Sequence, residues 1–326
     1  MILVAPDKFK GTLSARQAAN IIAEAFPPGT CVKAPMADGG EGTASIIASN
    51  WGWQVRDGYY VDRKERTAVI DSSAVIGLPK CVECRDILRA SSAPLGIKVR
   101  EILKGGCEKV IIGIGGTGCC DGGLGFLQGL GIDKYRTYQD KILGLSDVAV
   151  PLVPGRDVPD SKLLDTPSAL MFAPQKGATA LDLPLLYRRL LLVQQEYGHG
   201  RTSPFDGAGG GLGFAIASVI GAECVPGAQY VIENYDIKWD DIDFVITGEG
   251  RIDDQTLQGK VVDTVARAAA EHGVPCIAIG GTVQPGFSSP LYATIAADQF
   301  FPDMELDADT AAHRLSAAAA SIRNEL

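Results

Sequence analysis

The sequence predicts an α/β protein with a mainly parallel sheet and a second α/β domain inserted in its middle. Two patterns carry that expectation. Apolar runs rich in β-branched residues alternate with amphipathic stretches, the strand–helix order of a parallel sheet covered on both faces. That alternation breaks near residue 60 and returns near residue 235. It gives one discontinuous domain, 1–62 plus 233–326, and an inserted domain, 63–232.

The elements follow in order. ILVA (2–5) reads as the first strand, and Ser14 offers an N-cap for a helix from Ala15 to about Phe26 with apolar residues at helical spacing. CVKAP (31–35) is a second strand, ADGGEGT (37–43) a loop and TASIIASN (43–50) the next helix. QVRDGYYVDRKERTAVID (54–71) has the alternation of a hairpin with a charged middle. A helix is expected over 95–103, then a buried strand KVIIGIGG (109–116) running into a glycine turn. The stretch 134–180 reads as irregular, 183–198 as a long helix and 211–222 as a small-residue helix. The last third predicts a strand at 243–247, a helix at 257–273 ending in Gly273, strands at 275–281 and 292–298, and a final helix at 307–325.

Composition narrows the function classes. A chain of 326 residues, 46% hydrophobic, can bury the cores of two domains. No uninterrupted apolar run reaches the ~18 residues of a membrane span, and MILVAPDKFKG is too short and lacks the basic flank of a secretory signal. The net charge of −9 argues against a nucleic-acid partner. Eight scattered cysteines read as reduced thiols of a cytoplasmic protein. Cys81 and Cys84 form a C-x-x-C with no second pair at zinc-site spacing, and read as unremarkable. None of the three histidines lies in a glycine-and-acid loop, which disfavours a histidine triad or a zinc enzyme.

Four such loops carry the chemistry: ADGGEGT (37–43), IGGTGCCDGG (114–123), DGAGGGLG (206–213) and ITGEGRIDDQT (246–256). Glycine lets backbone N–H groups approach an anion, and carboxylates hold a hard cation, so the combination suits a phosphate with a divalent metal. After the first strand, Asp7, Lys8 and Lys10 stand where ligands collect in an open α/β sheet. Asp38 and Glu41 flank Gly39 and Gly40, so both carboxylates can turn toward one Mg²⁺, although Glu41 could instead cap the next helix. GIGGTG (113–118) matches the dinucleotide fingerprint literally, but no strand ending in an acid follows about 20 residues on. A phosphate or substrate loop of Gly115, Gly116 and Thr117 with Asp121 is the preferred reading. Gly209 and Gly210 form a third glycine turn. Gly248, Arg251, Asp253 and Lys260 form the last, where Arg251 can grip two oxygens at a helix start.

At these residues the chain resembles the bacterial type I glycerate kinases nearly end to end. The matching segments are APDKFKGTLSA, PMADGGEGT, VIIGIGGTGCCDGGLGFLQGLG, FAPQKGA (172–178), the GAGGGLG stretch and DFVITGEGRIDDQTLQGK. The resemblance implies transfer of the γ-phosphate of ATP to D-glycerate with Mg²⁺, typically giving 2-phosphoglycerate. It also implies one flavodoxin-like and one restriction-endonuclease-like α/β domain with a cleft between them. The chain departs from the family pattern in places. Lys8 stands where the family usually has Ser, Cys120 replaces an amide side chain, and the segment SDVAVPLVPGRDV (146–158) keeps little beyond Asp147 and Pro-Leu.

The expected roles follow. Lys8, Lys10 or Arg251 holds the substrate carboxylate, Asp121 or Asp253 takes the hydroxyl proton, and Asp38 or Glu41 holds Mg²⁺. Asp7, Gly39, Gly40, Gly115, Gly116, Thr117, Gly209, Gly210, Gly248, Arg251 and Lys260 bind substrate or phosphate. A homodimer is left open, as are two rivals: a catalytically silent or altered-specificity binder of a small hydroxy acid or nucleotide, and a nicotinamide oxidoreductase resting on GIGGTG.

Overall fold

The protein is represented by a computed structural model that describes residues 1–325 apart from Arg63, Glu65, Arg156, Asp157 and Gln258. In chain order the elements begin β1 (Ile2–Val4), α1 (Ala15–Glu24), β2 (Cys31–Lys33), α2 (Thr43–Asn50), β3 (Gln54–Arg56), β4 (Tyr59–Asp62), β5 (Thr67–Asp71), α3 (Ser73–Ile76) and α4 (Ala93–Lys104). They continue β6 (Lys109–Gly113), α5 (Leu124–Leu130), β7 (Ile142–Leu145), α6 (Leu183–Tyr197), β8 (Glu223–Val225) and α7 (Gly227–Glu233). The chain ends with β9 (Phe244–Ile252), α8 (Val261–Glu271), β10 (Cys276–Val283), β11 (Ala293–Ala296) and α9 (Ala308–Glu325). Among the described residues no helix is long and apolar enough to cross a membrane.

The chain divides into two compact units, Met1–Asp38 with Ala228–Leu326, and Gly39–Gly227. Residues 39–62 therefore belong with the inserted unit.

The first unit is a five-stranded, wholly parallel sheet in the order β11-β10-β9-β1-β2. Numbered within the unit this is 2-1-3-4-5, the flavodoxin-like order, whose switch point lies between β1 and β9. Leu3 registers with Val32 on one side and Val245 on the other, so β1 is central, and all three of its residues are buried. Helices α1 and α9 cover one face through Ala18, Ile22, Leu315 and Ala319. The predicted Ser14 cap is present: Ser14 and Gln17 make a reciprocal capping box.

The inserted unit carries a six-stranded mixed sheet, β3-β4-β5-β6-β7-β8. β3, β4 and β5 run antiparallel, as the hairpin pattern predicted, and β5 through β8 run parallel. Arg63 and Glu65, in the charged middle of that hairpin, lie outside the described residues. Phe126, Leu127, Leu95 and Phe214 fill the core.

Three expectations need correction. The stretch 134–180 is not wholly irregular, because β7 forms there. Four residues, one of them a glycine, are too few to show a strand period, yet Ile142–Leu145 is fully buried between β6 and β8. The 211–222 helix is π-helical over Phe214–Ile220. The helix expected from 257 starts at Val261, with Lys260 as its N-cap rather than one turn inside. Gln258, within that expected helix, lies outside the described residues.

Helices α4 and α5 meet at glycines. A Cβ on Gly96 would fall 2.2 Å from the Phe126 carbonyl, and one on Gly129 would fall 2.4 Å from the Ala93 carbonyl. Gly96→Ala is therefore expected to lower stability by about 1–3 kcal/mol, read as a lower urea midpoint at unchanged slope. An unchanged midpoint would contradict the close approach.

Candidate active site

The switch point of the first unit gathers the charged residues. Beyond β1 the chain stays on β9: Ala5 N–H donates to the Ile246 carbonyl at 2.8 Å and Asp7 N–H to the Gly248 carbonyl at 2.8 Å. Asp7 is thus delivered at the carboxyl end of the sheet, 8% exposed. Its Oδ1 accepts from the Lys8 N–H at 2.7 Å. On the other side Ala34 N–H donates to the Val4 carbonyl and Met36 N–H to the Pro6 carbonyl, which carries the chain to Asp38. Lys8 Nζ pairs with Asp38 Oδ1 at 3.0 Å.

β9 supplies the third carboxylate. The sequence suggests that the chain leaves this strand at Thr247, but it stays extended to Ile252, pairing Gly248 with Ile279 and Arg251 with Thr282. Gly248 permits this, since a Cβ there would meet the Ile279 carbonyl at 2.4 Å. Glu249 is consequently buried in a strand rather than poised in a loop. Its Oε1 accepts from Thr256 Oγ1 at 2.7 Å, and Thr256 Oγ1 accepts from the Asp253 N–H at 3.1 Å.

These neighbours set the titration of Asp7. Burial pushes its carboxyl up from 3.8 to about 7, and the charges of Asp38 and Glu249 add to the rise against the opposing charge and N–H of Lys8. Burial also raises Glu249, with Asp253 and Asp38 adding to it, while Thr256 and Lys260 oppose. Three carboxylates and nearby cations therefore share one electrostatic neighbourhood, and one carboxyl gains or loses its proton near neutral pH.

The other expected residues are distributed as follows. Asp253 is tied into its own turn: Oδ2 pairs with Arg251 Nε at 3.1 Å, and Oδ1 accepts from the Gln255 N–H at 3.0 Å. Arg251 is exposed on β9, Lys10 is exposed on the turn before α1, and Lys260 caps α8 near enough to Glu249 to lower its pKa.

In the inserted unit, Asp121 is engaged in building the fold. Its carboxylate accepts from the Ser92 N–H (2.8 Å) and Oγ (2.9 Å) and from the N–H groups of Gly123 (3.0 Å) and Gly125 (3.3 Å). It clamps the starts of α4 and α5. The glycines pack loop on loop. A Cβ on Gly39 would strike the Leu145 carbonyl at 2.5 Å, one on Gly115 the Gly40 Cα at 2.7 Å, and one on Gly210 the Cys119 carbonyl at 2.1 Å. Gly209 packs in the same way on Ile114, and Gly116 (φ 79°) on Ser73. Glu41 is exposed, and Asp71 caps the α2 start through the Gly42 and Ala44 N–H groups at 2.9 and 2.8 Å. The third glycine of GIGGTG lies well before α5 begins at Leu124, so it does not open a helix as a dinucleotide fingerprint requires.

Lys176 escaped notice as a working residue. It is 5% exposed, and its Nζ donates to Thr117 Oγ1 at 3.0 Å and to the Cys119 carbonyl at 2.7 Å. Burial lowers its pKa. The one sequence signal was a lysine inside the apolar, proline-bearing turn FAPQKGA. Arg156 and Asp157, part of the segment that departs from the family pattern, lie outside the described residues.

A flavodoxin-like parallel sheet with three neighbouring carboxyls and a paired lysine at its carboxyl edge is the frame of an α/β enzyme. The glycerate kinase family model matches residues 2–150 and 161–324. The chain is 34% identical to a glycerate kinase of Halalkalibacterium halodurans, covering 88% of this chain and 87% of that one. It is 32% identical to the glycerate 2-kinase of Escherichia coli K12, with 86% and 85% covered. A crystal structure from Salmonella typhimurium LT2, of a protein assigned as glycerate kinase 2, superposes with a TM-score of 0.73 at 28% identity over 99% of this chain and 97% of that one. The chain belongs to the glycerate kinase family and is a kinase.

The raised Asp7 pKa has a stability consequence. The folded value, about 7, lies above the unfolded 3.8, so the contribution is complete below about pH 4 and is lost as pH rises through about 7. Asp7→Asn, neutral throughout, should be more stable than the parent above about pH 8 by roughly 2–4 kcal/mol, with the gap closing near pH 4. Thermal denaturation across that range checks it, and equal stability at both ends would remove the buried-charge account.

Proposed function

We propose that the protein phosphorylates D-glycerate with ATP, giving 2-phosphoglycerate, and that Asp7 is the base. The observation that carries this reading is the buried Asp7 carboxyl, with its pKa near 7, beside the Lys8–Asp38 pair at the switch point. A general base works best when its pKa lies near the working pH. Asp7 takes the proton of the glycerate hydroxyl as that oxygen attacks the γ-phosphorus. The bond to the β,γ-bridging oxygen breaks, and ADP leaves. Lys8, Lys10, Arg251 and Lys260 supply positive charge for the substrate carboxylate and the phosphates. Gly248 keeps β9 straight beneath them. Asp253 is assigned to orienting Arg251 and Asp121 to fixing its own turn, neither to proton transfer. In the inserted unit, the turn of Gly115, Gly116 and Thr117 is proposed to contact phosphate, with Gly39, Gly40, Gly209 and Gly210 shaping the loops around it.

Among the described residues no three acidic, histidine or cysteine side chains form a ready-made metal cage. Mg²⁺ needs only one or two carboxylates beside substrate phosphates, and the donor chemistry fits, because Asp38 is a hard oxygen ligand whose charge bears on two other carboxyls. Asp38 or Glu41 would hold Mg²⁺, which when bound neutralises phosphate charge. The preference for O2 draws on the similarity to the Escherichia coli glycerate 2-kinase. A cytoplasmic location goes with this reading, since ATP is supplied there.

One observation favours a second reading. Lys8 stands where the family usually has Ser, and its ammonium already pairs with Asp38, the expected metal ligand. An altered-specificity or silent member would bind glycerate or ATP without turnover. The deciding experiment incubates the protein with ATP, Mg²⁺ and D-glycerate and identifies the product by phosphorus NMR. The expected product carries its ester at O2, with kcat/KM rising through about pH 7 to a plateau as Asp7 loses its proton. Asp7→Asn should lower kcat by about 10²–10⁴-fold. Binding without product would select the second reading, and an ester at O3 would overturn the assigned regiochemistry.

A further inference from the structure

The Cys81–Cys84 pair, which the reaction does not use, sits in a turn built for sulfur–sulfur contact. Val82–Cys84 is one turn of 3-10 helix, and Cys84 N–H donates to the Cys81 carbonyl at 3.2 Å. Residues three apart eclipse in that geometry. The ends of such a turn lie within about 7 Å between Cα atoms, against the ~4.4–6.8 Å that a disulfide needs. The neighbouring Cys81 thiol pushes the Cys84 thiol above its ordinary value, and Cys81 Sγ donates to Glu83 Oε2 at 3.1 Å. All eight cysteines are free, and of these only Cys81 and Cys84 are exposed. Burial raises the pKa of the other six, three of them (Cys119, Cys224 and Cys276) to about 12. Thiol exchange is therefore directed to this turn.

The turn is also mechanically joined to the glycine loop of the same unit. Immediately after Cys84, Arg85 donates from Nε to the Pro79 carbonyl at 3.1 Å and from Nη1 to the Gln175 carbonyl at 3.0 Å. A Cβ on Gly177 would strike the Arg85 Cβ at 2.8 Å, so Arg85 is seated against the turn that carries Lys176. Lys176 in turn holds Thr117 and the Cys119 carbonyl. On the other flank Gly77 bridges to Thr117, and Gly118 N–H donates to the Ile76 carbonyl at 2.8 Å. The segment 76–85 thus meets the 117–119 turn directly at its start and, through Arg85 and the turn of Lys176, at its end.

We propose that Cys81 and Cys84 are a redox modification site, closing to an intrachain disulfide by exchange with a low-molecular-weight disulfide, and that closure resets the 117–119 turn through Arg85 and Lys176. One of the pair attacks, as thiolate, a sulfur of the small disulfide. The S–S bond of the small molecule breaks and one thiol leaves. The second cysteine then attacks the mixed disulfide, the Cys81–Cys84 bond forms, and the second small thiol leaves. The two electrons and the two protons of the cysteines end on the released thiols. Such a bond in a reducing compartment is transient and regulatory rather than structural. Neither thiol is among the residues assigned to the proposed reaction, whereas the turn that closure resets carries Thr117, proposed above to contact phosphate.

The test uses the intact protein without substrates, equilibrated with mixtures of oxidised and reduced glutathione, then alkylated and mapped by peptide mass. The expected result is loss of both exposed thiols to a Cys81–Cys84 disulfide that dithiothreitol reverses. A several-fold change in amide hydrogen exchange confined to 115–119 and 174–177 should accompany it. Cys84→Ser should instead trap glutathione on Cys81. Full alkylation of both residues under oxidising conditions, or glutathione held on both in the parent protein, would overturn the site. A disulfide that leaves exchange at 115–119 unchanged would overturn the coupling.

Discussion

The crowding of Asp7, Asp38 and Glu249 is the constraint on which the first unit depends. Three carboxylates cannot all ionise freely in a partly dry space, and the fold answers this with Lys8 on Asp38, Thr256 on Glu249 and a proton that Asp7 gives up only near neutral pH. A parallel sheet delivers them because ligands and charges collect beyond the carboxyl ends of its strands, at the point where strand order reverses. The backbone continues its hydrogen bonding past β1 to Asp7 and through β9 to Ile252, so two of the three acids rise from rigid extended chain. That rigidity holds a buried carboxyl of raised pKa in place at the expense of intrinsic stability.

Glycine does two different jobs in this chain. At Gly248 it lets β9 and β10 run tightly side by side, which keeps Glu249 in a strand. At Gly39, Gly115 and Gly210 it lets three loops of the inserted unit lie backbone against backbone, with the Gly115 N–H donating to the Gly39 carbonyl and the Gly122 N–H to the Gly210 carbonyl. Asp121 and Lys176 fix the turn between those loops from inside.

Much of this was legible in the sequence. The apolar periodicity located β1, α1, β6, α6, α8 and α9, and Ser14 located a helix start, because those signals are local. β7 was not legible, since Ile142–Leu145 is a strand only by virtue of the β6 and β8 neighbours that bury it. Among the site residues, the charged types at 7, 8, 38 and 251 were visible, but their division of labour was not. Asp121 and Asp7 look alike as single acids after a strand. What separates them is the set of four donors that Ser92, Gly123 and Gly125 spend on Asp121, and the neighbouring negative charge that Asp7 faces instead. Each depends in part on residues distant in the chain, Ser92 for Asp121 and Asp38 and Glu249 for Asp7, which no local pattern reports.

The most direct measurement of this account is a carboxyl carbon NMR titration that resolves Asp7, in the parent chain and in Glu249→Gln. The account predicts a midpoint near 7 for Asp7, moving down when the Glu249 charge is removed. A midpoint close to the ordinary 3.8, unmoved by that substitution, would contradict it.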